Sequence, residues 1–329
     1  MPFDIVTLGV ILIDMFPSEI GKSFSQVSSF IPTPGGAPAN VAVAASKLGG
    51  KSAFIGKVGD DPFGHWLADT LSEEKVNISG LRYSREVPTT VVFITQPDPN
   101  SYEFIFYRNP GADILLEADE LESKILSETK SFHFDSLSLQ HKSYENATHE
   151  AIQIAKKSNA LISYDVNYRP TLWKNPDEAR RKAFETFAYA DLVKINEKEL
   201  EIVTGTTHLE EGAKKILECG PEICVITLGE KGSYIQTAEL GEFIPVFKVN
   251  TLDAAGCGDA FIAGLLLKLV EGNIWRNNLS ATHLRNSMIY ASAVGALTSL
   301  NRGVIPALPL KDQVEKFLTT RGLKLSWNQ

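Results

Sequence analysis

The feature that most constrains the fold is an alternation of short apolar segments with helical segments. Segments typical of β-strands and of helices alternate through 132–137, 143–158, 160–166, 177–189, 191–195, 197–203, 209–218 and 222–228. Strands that alternate with helices are usually parallel, and helices cover both faces of their sheet. We therefore predict an α/β fold in which a mostly parallel central sheet lies between two helical layers.

One region departs from this alternation. The segments 89–96 and 102–108 are rich in β-branched and aromatic residues, and a cluster of turn residues joins them, which predicts a β-hairpin. We expect 16–32 and 88–110 to form a small β-sheet lid that excludes water from a site at the sheet edge. Such a hairpin can also be a decoration or a dimer contact. Because no Pro/Gly/Ser-rich linker divides the chain, residues 1–329 are expected to form one domain.

Composition and charge exclude several classes of protein. The 329 residues are 43% hydrophobic, which is ordinary for a globular chain with a large core. A net charge of −8 without a basic cluster argues against binding to nucleic acids or anionic membranes. The apolar run 261–270 is too short to span a bilayer, and we expect no signal sequence. Three cysteines without metal-ligand spacing or a disulfide framework indicate a cytoplasmic protein.

The stretch 253–261 predicts an anion-binding turn. A strand-like segment, 242–249, precedes it and an apolar helical run follows it, so Gly256 and Gly258 lie at a helix N-terminus. Unpaired backbone N–H groups and the helix dipole favour an anion there, and glycine lets a phosphate approach the backbone. Asp259 in the first helical turn is either a cap or a general base, and this stretch alone leaves both interpretations open.

A second glycine-bearing turn, Gly35-Gly36, precedes an alanine-rich helix predicted at 41–48. Asn40 at the beginning of that helix is either a cap or an amide that binds a polyol. Asp14 follows the first predicted strand, at the edge where α/β sheets bind ligands. An ordinary turn or capping role for Asp14 is equally compatible with its position.

Polar clusters follow three later strands. They occupy 165–170, 196–199 and 227–232, and Asn196 and Glu199 lie three residues apart on one helical face. Each cluster alone fits capping or turn chemistry. Together they place carboxylates, amides and an arginine along one sheet edge beside the glycine turn, which indicates a ligand site.

These features together resemble those of the ribokinase-like sugar kinases, the PfkB family. The stretch from Gly35 through Asn40 to Gly49 is similar to the N-terminal signature of the family, and 253–261 is similar to the C-terminal one. The resemblance extends from the first strand to about residue 309. It implies a ribokinase-like three-layer α/β/α sandwich with a β-sheet lid.

Within the family, several segments are most similar to those of fructokinases: 35–71, 106–113, 163–173 and 227–232. The resemblance therefore implies ATP-dependent phosphorylation of D-fructose at its 6-hydroxyl. The residues implied to bind the sugar are Asp14, Gly35, Gly36, Asn40, Arg108, Asp113 and Arg169. Those implied in catalysis are Asp259 as general base and an anion hole formed by Gly256, Cys257 and Gly258.

The resemblance also implies residues for ATP and for metal ions. The residues implied to contact the nucleotide are Asn196, Thr227, Gly229, Gly232 and Ser292. Glu199 and Asn196 would organise Mg²⁺ through waters, and the carbonyls of Asp253 and Ala255 would bind a monovalent cation such as K⁺. The chain departs from the family at Ala254, Ala255 and Cys257, where two threonines and an alanine are usual, and at Ser292, where asparagine is frequent.

Other interpretations stay open. Arg108 and Arg169 would suit the carboxylate of 2-keto-3-deoxygluconate, and ribose or a nucleoside are further substrates for this fold. A non-catalytic sugar-binding protein is an alternative of a different class. A Rossmann dehydrogenase is disfavoured because Gly35-Gly36 lacks the G-x-G-x-x-G spacing. A homodimer formed through the lid is compatible with this arrangement.

Overall fold

The computed structural model describes residues 2–98, 101–273, 275, 279–325 and 327. In chain order, the described strands are β1 (Phe3–Leu8), β2 (Leu12–Pro17), β3 (Phe30–Gly35), β4 (Ser52–Gly59), β5 (Asn77–Ser84), β6 (Val91–Asp98), β7 (Ser101–Tyr107), β8 (Thr129–Asp135), β9 (Leu161–Asp165), β10 (Leu192–Asn196), β11 (Ile223–Thr227), β12 (Gly232–Gln236) and β13 (Gly241–Pro245). The described helices are α1 (Ala37–Lys47), α2 (Pro62–Glu73), α3 (Ser123–Ser127), α4 (Lys142–Lys157), α5 (Pro176–Phe187), α6 (Glu197–Thr204), α7 (Leu209–Leu217), α8 (Cys257–Val270), α9 (Ala281–Thr298) and α10 (Lys311–Thr319).

The large sheet has nine strands in the order β13-β12-β11-β10-β9-β8-β1-β4-β5. The strands from β11 to β5 in this order are parallel to one another, and β12 and β13 extend the sheet as antiparallel strands at one side. The prediction of a mostly parallel central sheet is confirmed. Since parallel strands end at the same edge, the polar clusters that follow β9, β10 and β11 are brought together there.

Successive residues of β1 show how the helices cover both faces of this sheet. Ile5 packs into a core cluster with α1, α8 and α9, whereas Val6 and Leu8 pack into a second cluster with α4, α6 and α7. Side chains along a strand alternate between faces, so the two clusters lie on opposite sides of the sheet. Gly264 lets α8 approach α9 closely, because a Cβ there would lie 3.0 Å from Val294 Cγ2. The predicted three-layer α/β/α architecture is confirmed.

The small sheet has four strands in the order β3-β2-β6-β7. Strands β6 and β7 are antiparallel, which confirms the predicted hairpin, and β2 joins β6 in parallel and β3 in antiparallel orientation. Strand β2 begins before the predicted lid segment 16–32, and β3 ends after it. Most of that segment is therefore the connection between these two strands. We call this four-stranded sheet the lid.

Some local predictions differ from the structure. Helix α1 begins at Ala37 with Pro38 in its first turn, where proline is tolerated, so Asn40 lies inside the helix and its interpretation as a cap is wrong. Asp14 lies within β2, so its interpretation as a turn or capping residue is also wrong. The sequence pattern does not predict strand β5, because polar residues and an interior glycine obscure it. The glycine turn at 227–232 is typical of a hairpin, and β12 does pair with β11 in antiparallel orientation after it.

Within the described ranges, no helix has the length and apolar character needed to cross a membrane. The three cysteines, Cys219, Cys224 and Cys257, are all free thiols. The cytoplasmic compartment expected from them stays a prediction.

Candidate active site

The glycine turn before α8 has a backbone geometry that only glycine adopts without strain. Gly256 is the N-cap of α8 with a φ of 71°, and a Cβ on it would lie 2.3 Å from Val304 Cγ1. The Asp253 carboxylate holds the turn from behind, since Oδ1 accepts from the Ala255 N–H at 2.9 Å and Oδ2 from the Gly303 N–H at 3.2 Å. The Cys257 N–H donates to the Ala254 carbonyl oxygen at 3.3 Å, which closes the turn. Helix α8 therefore begins at a fixed glycine turn, and a helix N-terminus of this kind is the arrangement that binds anions.

Asp259, in the first turn of α8, is bonded to a residue far away in the sequence. Asn40 Nδ2 donates to Asp259 Oδ2 at 2.8 Å, across 219 positions of the chain. The other amide atom, Asn40 Oδ1, is buried and has no hydrogen-bond partner among the described residues. Burial raises the pKa of Asp259 to about 6, although the Asn40 amide and the Lys194 ammonium oppose that change. A carboxylate and an unsatisfied acceptor thus lie side by side at the anion-binding turn.

Asp14 occupies the lid side of the same site. A Cβ on Gly35 would lie 2.0 Å from Asp14 Oδ2, and a Cβ on Gly36 would lie 2.3 Å from the Val10 carbonyl oxygen. The two glycines therefore leave room for Asp14 and for the approach of α1 to the lid. Burial raises the pKa of Asp14 to about 7, Arg169 lowers it, and Asp259 raises it further. These electrostatic effects place Asp14, Arg169 and Asp259 around one site.

Arg169 is partly exposed and lies between the sheet edge and the lid. Its guanidinium carbon lies 6.0 Å from the centre of the Phe104 ring of β7. Its Nη1 donates to the Tyr168 carbonyl oxygen at 3.2 Å, and its charge also affects the pKa of Asp135 at the end of β8. Among the arginines predicted to bind sugar, Arg169 is the one whose charge acts on Asp14 and Asp259.

Arg108 has a different environment. Its Nε donates to Asp113 Oδ2 at 2.7 Å and its Nη1 donates to Gln140 Oε1 at 2.7 Å. Only 4% of the Arg108 side chain and 1% of the Asp113 side chain are exposed. The structure therefore brings Arg108 and Asp113 together as a buried ion pair and directs the guanidinium donors toward protein acceptors.

Asn196 and Glu199 form a capping box at the start of α6. Asn196 Oδ1 accepts from the Lys198 and Glu199 N–H groups, and Glu199 Oε2 accepts from the Asn196 N–H at 2.9 Å. Glu199 Oε1 accepts from the Tyr168 N–H at 2.8 Å, so the carboxylate also joins α6 to the residues that follow β9. Within the described residues, no group of three or more His, Cys, Asp or Glu side chains is placed to hold a metal ion.

The residues predicted to contact a nucleotide are distributed over β10, β11, the connection from β11 to β12, and α9. Thr227 ends β11, and Gly229 and Gly232 have positive φ values of 57° and 122° in the connection to β12. Ser292 is buried in α9, one helical turn before Gly295, and a Cβ on Gly295 would lie 3.3 Å from the Cys257 carbonyl oxygen. Helix α9 thus passes close to the anion-binding turn at Gly295, one helical turn after Ser292.

Comparison with known proteins decides the family. Residues 3–311 match the pfkB family of carbohydrate kinases. The chain belongs to this family. The prediction of a carbohydrate kinase with a ribokinase-like fold is thereby confirmed.

The pfkB kinase is similar to several fructokinases. It is 39% identical to probable fructokinase-2 of Arabidopsis thaliana over 315 residues, which are 95% of each chain. A fructokinase of Xylella fastidiosa solved with bound ATP is 27% identical, has a TM-score of 0.88, and aligns over 97% of this chain and 99% of its own. A fructokinase of Vibrio cholerae O395 solved with fructose, ADP and a calcium ion is 31% identical, has a TM-score of 0.84, and aligns over 95% and 98% of the two chains.

Sequence reasoning missed one residue of this kinase that lies directly beneath the turn. Lys194 is a buried strand lysine whose Nζ lies 2.6 Å from Asp165 Oδ2, and a Cβ on Gly258 would lie 3.3 Å from the same Nζ. Burial would lower the pKa of Lys194, but Asp165, Glu199 and Asp259 outweigh that effect and raise it. The kinase therefore keeps a fixed positive charge behind its anion-binding turn.

Proposed function

We propose that this kinase transfers the γ-phosphoryl group of ATP to the 6-hydroxyl of fructose. The observation that carries the proposal is the pairing of Asp259 with Asn40 at the N-terminal turn of α8. This pairing puts a carboxylate with a pKa of about 6 in the first turn of α8, at the helix N-terminus. The fructokinase names of the relatives and the fructose and ADP bound to the Vibrio cholerae enzyme support the choice of sugar.

Phosphoryl transfer requires mainly positioning and stabilisation of charge. Asp259 is the proposed general base that takes the proton of the attacking hydroxyl, because its carboxylate form predominates at neutral pH. The N–H groups of Gly256, Cys257 and Gly258 are the proposed anion hole for the transferred group. Asn40 Oδ1 is a buried acceptor without a donor in the described part of the chain, which suits a sugar hydroxyl. Asp14 is the proposed second sugar ligand.

Magnesium supplies positive charge that neutralises the phosphate oxygens during transfer. Glu199 and Asn196 are the proposed residues for it. Their oxygens already accept backbone N–H groups, so water molecules would connect them to the ion through the remaining lone pairs. For a monovalent cation we propose the carbonyls of Asp253 and Ala255. A Vibrio cholerae fructokinase variant solved with fructose, ADP and a potassium ion supports that proposal.

The general base is tested by Asp259→Asn, which keeps the shape of the side chain and its position beside Asn40. We expect kcat to fall by at least about 100-fold, the lower range for loss of a positioned base, while fructose affinity changes little. Coupled measurement of ADP release gives kcat, and calorimetric titration gives the affinity.

Asp177→Asn is the matched control, since Asp177 also lies in the first turn of a helix but is exposed and distant from the site. It should retain full activity. Near-complete activity of Asp259→Asn would show that Asp259 is only a cap.

The substrate is tested by a panel of fructose, 2-keto-3-deoxygluconate, ribose and a nucleoside with ATP. We expect fructose to have the highest kcat/KM. Preference for another sugar would replace fructose within the same family, whereas sugar binding without ADP release from any member would support a non-catalytic sugar-binding protein.

A further inference from the structure

Arg108 lies on the face of the lid that carries Asp14. Asp14 pairs with Val92 across β2 and β6, and Val92 pairs with Phe106 across β6 and β7. Opposed residues in a sheet share a face, and so do residues two positions apart along a strand. Arg108 lies two positions beyond Phe106, so its side chain is on the same face of the lid as Asp14. Arg108 thus belongs to the same face of the lid as the proposed sugar ligand Asp14, where a free guanidinium would attract a negatively charged substrate.

The donors of Arg108 are nevertheless engaged inside the protein. Nε and Nη2 both contact Asp113 Oδ2, at 2.7 and 2.5 Å, while Nη1 donates to Gln140 Oε1 at 2.7 Å and Nη2 donates to the Leu137 carbonyl oxygen at 3.3 Å. These contacts use all three nitrogen atoms of the guanidinium. A substrate carboxylate would have to displace Asp113 to obtain a bidentate contact.

The Asp113 carboxylate is itself held in place from the other side. Thr90 Oγ1 donates to Asp113 Oδ1 at 2.5 Å. Gly111 leaves room for this contact, because a Cβ on it would lie 1.9 Å from Thr90 Oγ1. Displacing Asp113 would leave its buried carboxylate without the partner cation, which is unfavourable, so a substrate does not take Arg108 from Asp113 at low cost.

We propose that Asp113 determines specificity: by binding Arg108 internally, it removes the cation that would bind a sugar acid and restricts the site to neutral sugars. This inference rests on the proposed sugar kinase activity and deepens it. It also gives Arg108 and Asp113 a role other than direct contact with the sugar.

The remaining cations of the sheet edge do not replace Arg108. Lys194 is bound to Asp165 beneath the turn. Arg169 acts on the pKa values of Asp14, Asp135 and Asp259, so carboxyl groups lie around it on several sides. A substrate carboxylate would enter a site in which carboxyl groups outnumber available positive charges, and the repulsion disfavours its binding.

The test compares kcat/KM for fructose and for 2-keto-3-deoxygluconate in the full-length wild type and in Asp113→Asn. Asparagine keeps the shape of the side chain but removes the charge that competes with the substrate. We expect the wild type to prefer fructose strongly and the variant to reduce that preference by at least about 10-fold, or about 1.4 kcal/mol. The double variant Asp113→Asn/Arg108→Gln removes the released cation and should restore the preference for fructose.

If the wild type and Asp113→Asn prefer fructose over the sugar acid to the same degree, the proposal is overturned. It is also overturned if the added Arg108→Gln change leaves the sugar preference of Asp113→Asn unaltered. If Asp113→Asn does not fold, the thermal unfolding of the wild type, measured with and without each sugar, still tests the proposal. Neutral sugars should raise Tm and sugar acids should not, and an equal rise with the acid overturns the proposal. Turnover of a neutral sugar other than fructose would contradict the proposed substrate but leave this inference intact.

Discussion

Burial and two neighbouring side chains act on the ionisation of Asp259 in opposite directions. Burial raises its pKa to about 6, while the hydrogen bond from Asn40 and the charge of Lys194 lower it. Without these two partners the carboxyl group would be protonated at a still higher pH. The Asp259 carboxyl group is therefore mainly ionised at neutral pH, and its pKa lies close enough to neutral pH for the group to accept a proton. Both properties suit the proposed base.

The pH dependence of kcat/KM tests this balance. A base must be ionised, so activity should fall as the pH drops below about 6 in the wild type. Lys194→Met removes a positive charge that lowers the pKa of Asp259 and leaves Asp165 without its partner. We expect the acid limb of the profile to move to higher pH, with reduced activity at pH 6, in a measurement of initial rates from pH 5 to 9.

Lys57→Met is the matched control for Lys194→Met. Lys57 is also a strand lysine in an ion pair, 2.6 Å from Glu120, but its charge does not contribute to the pKa of Asp259. Lys57→Met should lower the stability of the kinase without moving the acid limb of its pH profile. An acid limb that stays in place in Lys194→Met would show that Lys194 acts only as a structural ion pair.

At the scale of elements, the lid has two different faces. One face carries Asp14 and the phenylalanines that pack toward Arg169. The other carries aromatic side chains in a row of ring contacts, with centroid distances of 5.0 Å for Phe30 and Phe93 and 5.5 Å for Phe93 and Tyr107. Ile105 and Tyr107 are 41% and 62% exposed on this side. A contiguous apolar surface on a projecting sheet is typical of a contact between subunits.

We expect the kinase to form a dimer through this outer face of the lid. Sedimentation at micromolar concentration should give the mass of two chains, and Ile105→Lys should give one, because it places a charge in an apolar interface. Leu310→Lys is the control, since Leu310 is 54% exposed at the start of α10, outside the lid. A wild type that sediments as one chain, or a dimer insensitive to Ile105→Lys, would contradict this arrangement.

At the scale of the whole molecule, the sheet edge concentrates carboxyl groups whose protonated forms are favoured by folding. Burial raises the pKa values of Asp14 and Asp135 to about 7, and that of Asp259 to about 6. Each of these groups binds a proton more tightly in the folded than in the unfolded chain. Their stabilising effect is complete below the usual pKa of an aspartate, near 3.8, and is lost as the pH rises through 6 to 7.

The free energy of unfolding should therefore decrease between pH 5.5 and pH 8. His133 and His149 act in the opposite direction, since burial lowers the pKa of His133 to about 4 and also lowers that of His149. Their effect ends near the usual histidine pKa of 6.5, and it opposes three carboxyl groups. We expect Tm to fall by a few degrees over this range in the ligand-free protein, measured by calorimetry. Asp135→Asn, which cannot ionise, should show a smaller fall. A Tm that rises steadily from pH 5.5 to pH 8 would contradict the assignment of these pKa values.

Much of the fold could be predicted, because local patterns carry it. The alternation from residue 132 to 228 gave the parallel sheet and its two helical layers, and turn residues between two β-rich segments gave the β6–β7 hairpin. Strand β5 was not predicted, because its sequence mixes polar residues and a glycine and becomes a strand only by pairing with β4. Whether residues 77–84 form a strand depends on pairing with the neighbouring strand β4 and not on the local preference of the residues.

The candidate site was determined partly by sequence and partly by tertiary structure. The sequence by itself placed glycines and Asp259 at a helix N-terminus, since these features are local to one turn. Only the tertiary structure joined Asp259 to Asn40 and placed Lys194 opposite Asp165 in the register of β9 and β10. It also decided that Arg108 is bound by Asp113. Partners and burial depend on strand register and on packing between distant segments, which no local pattern specifies.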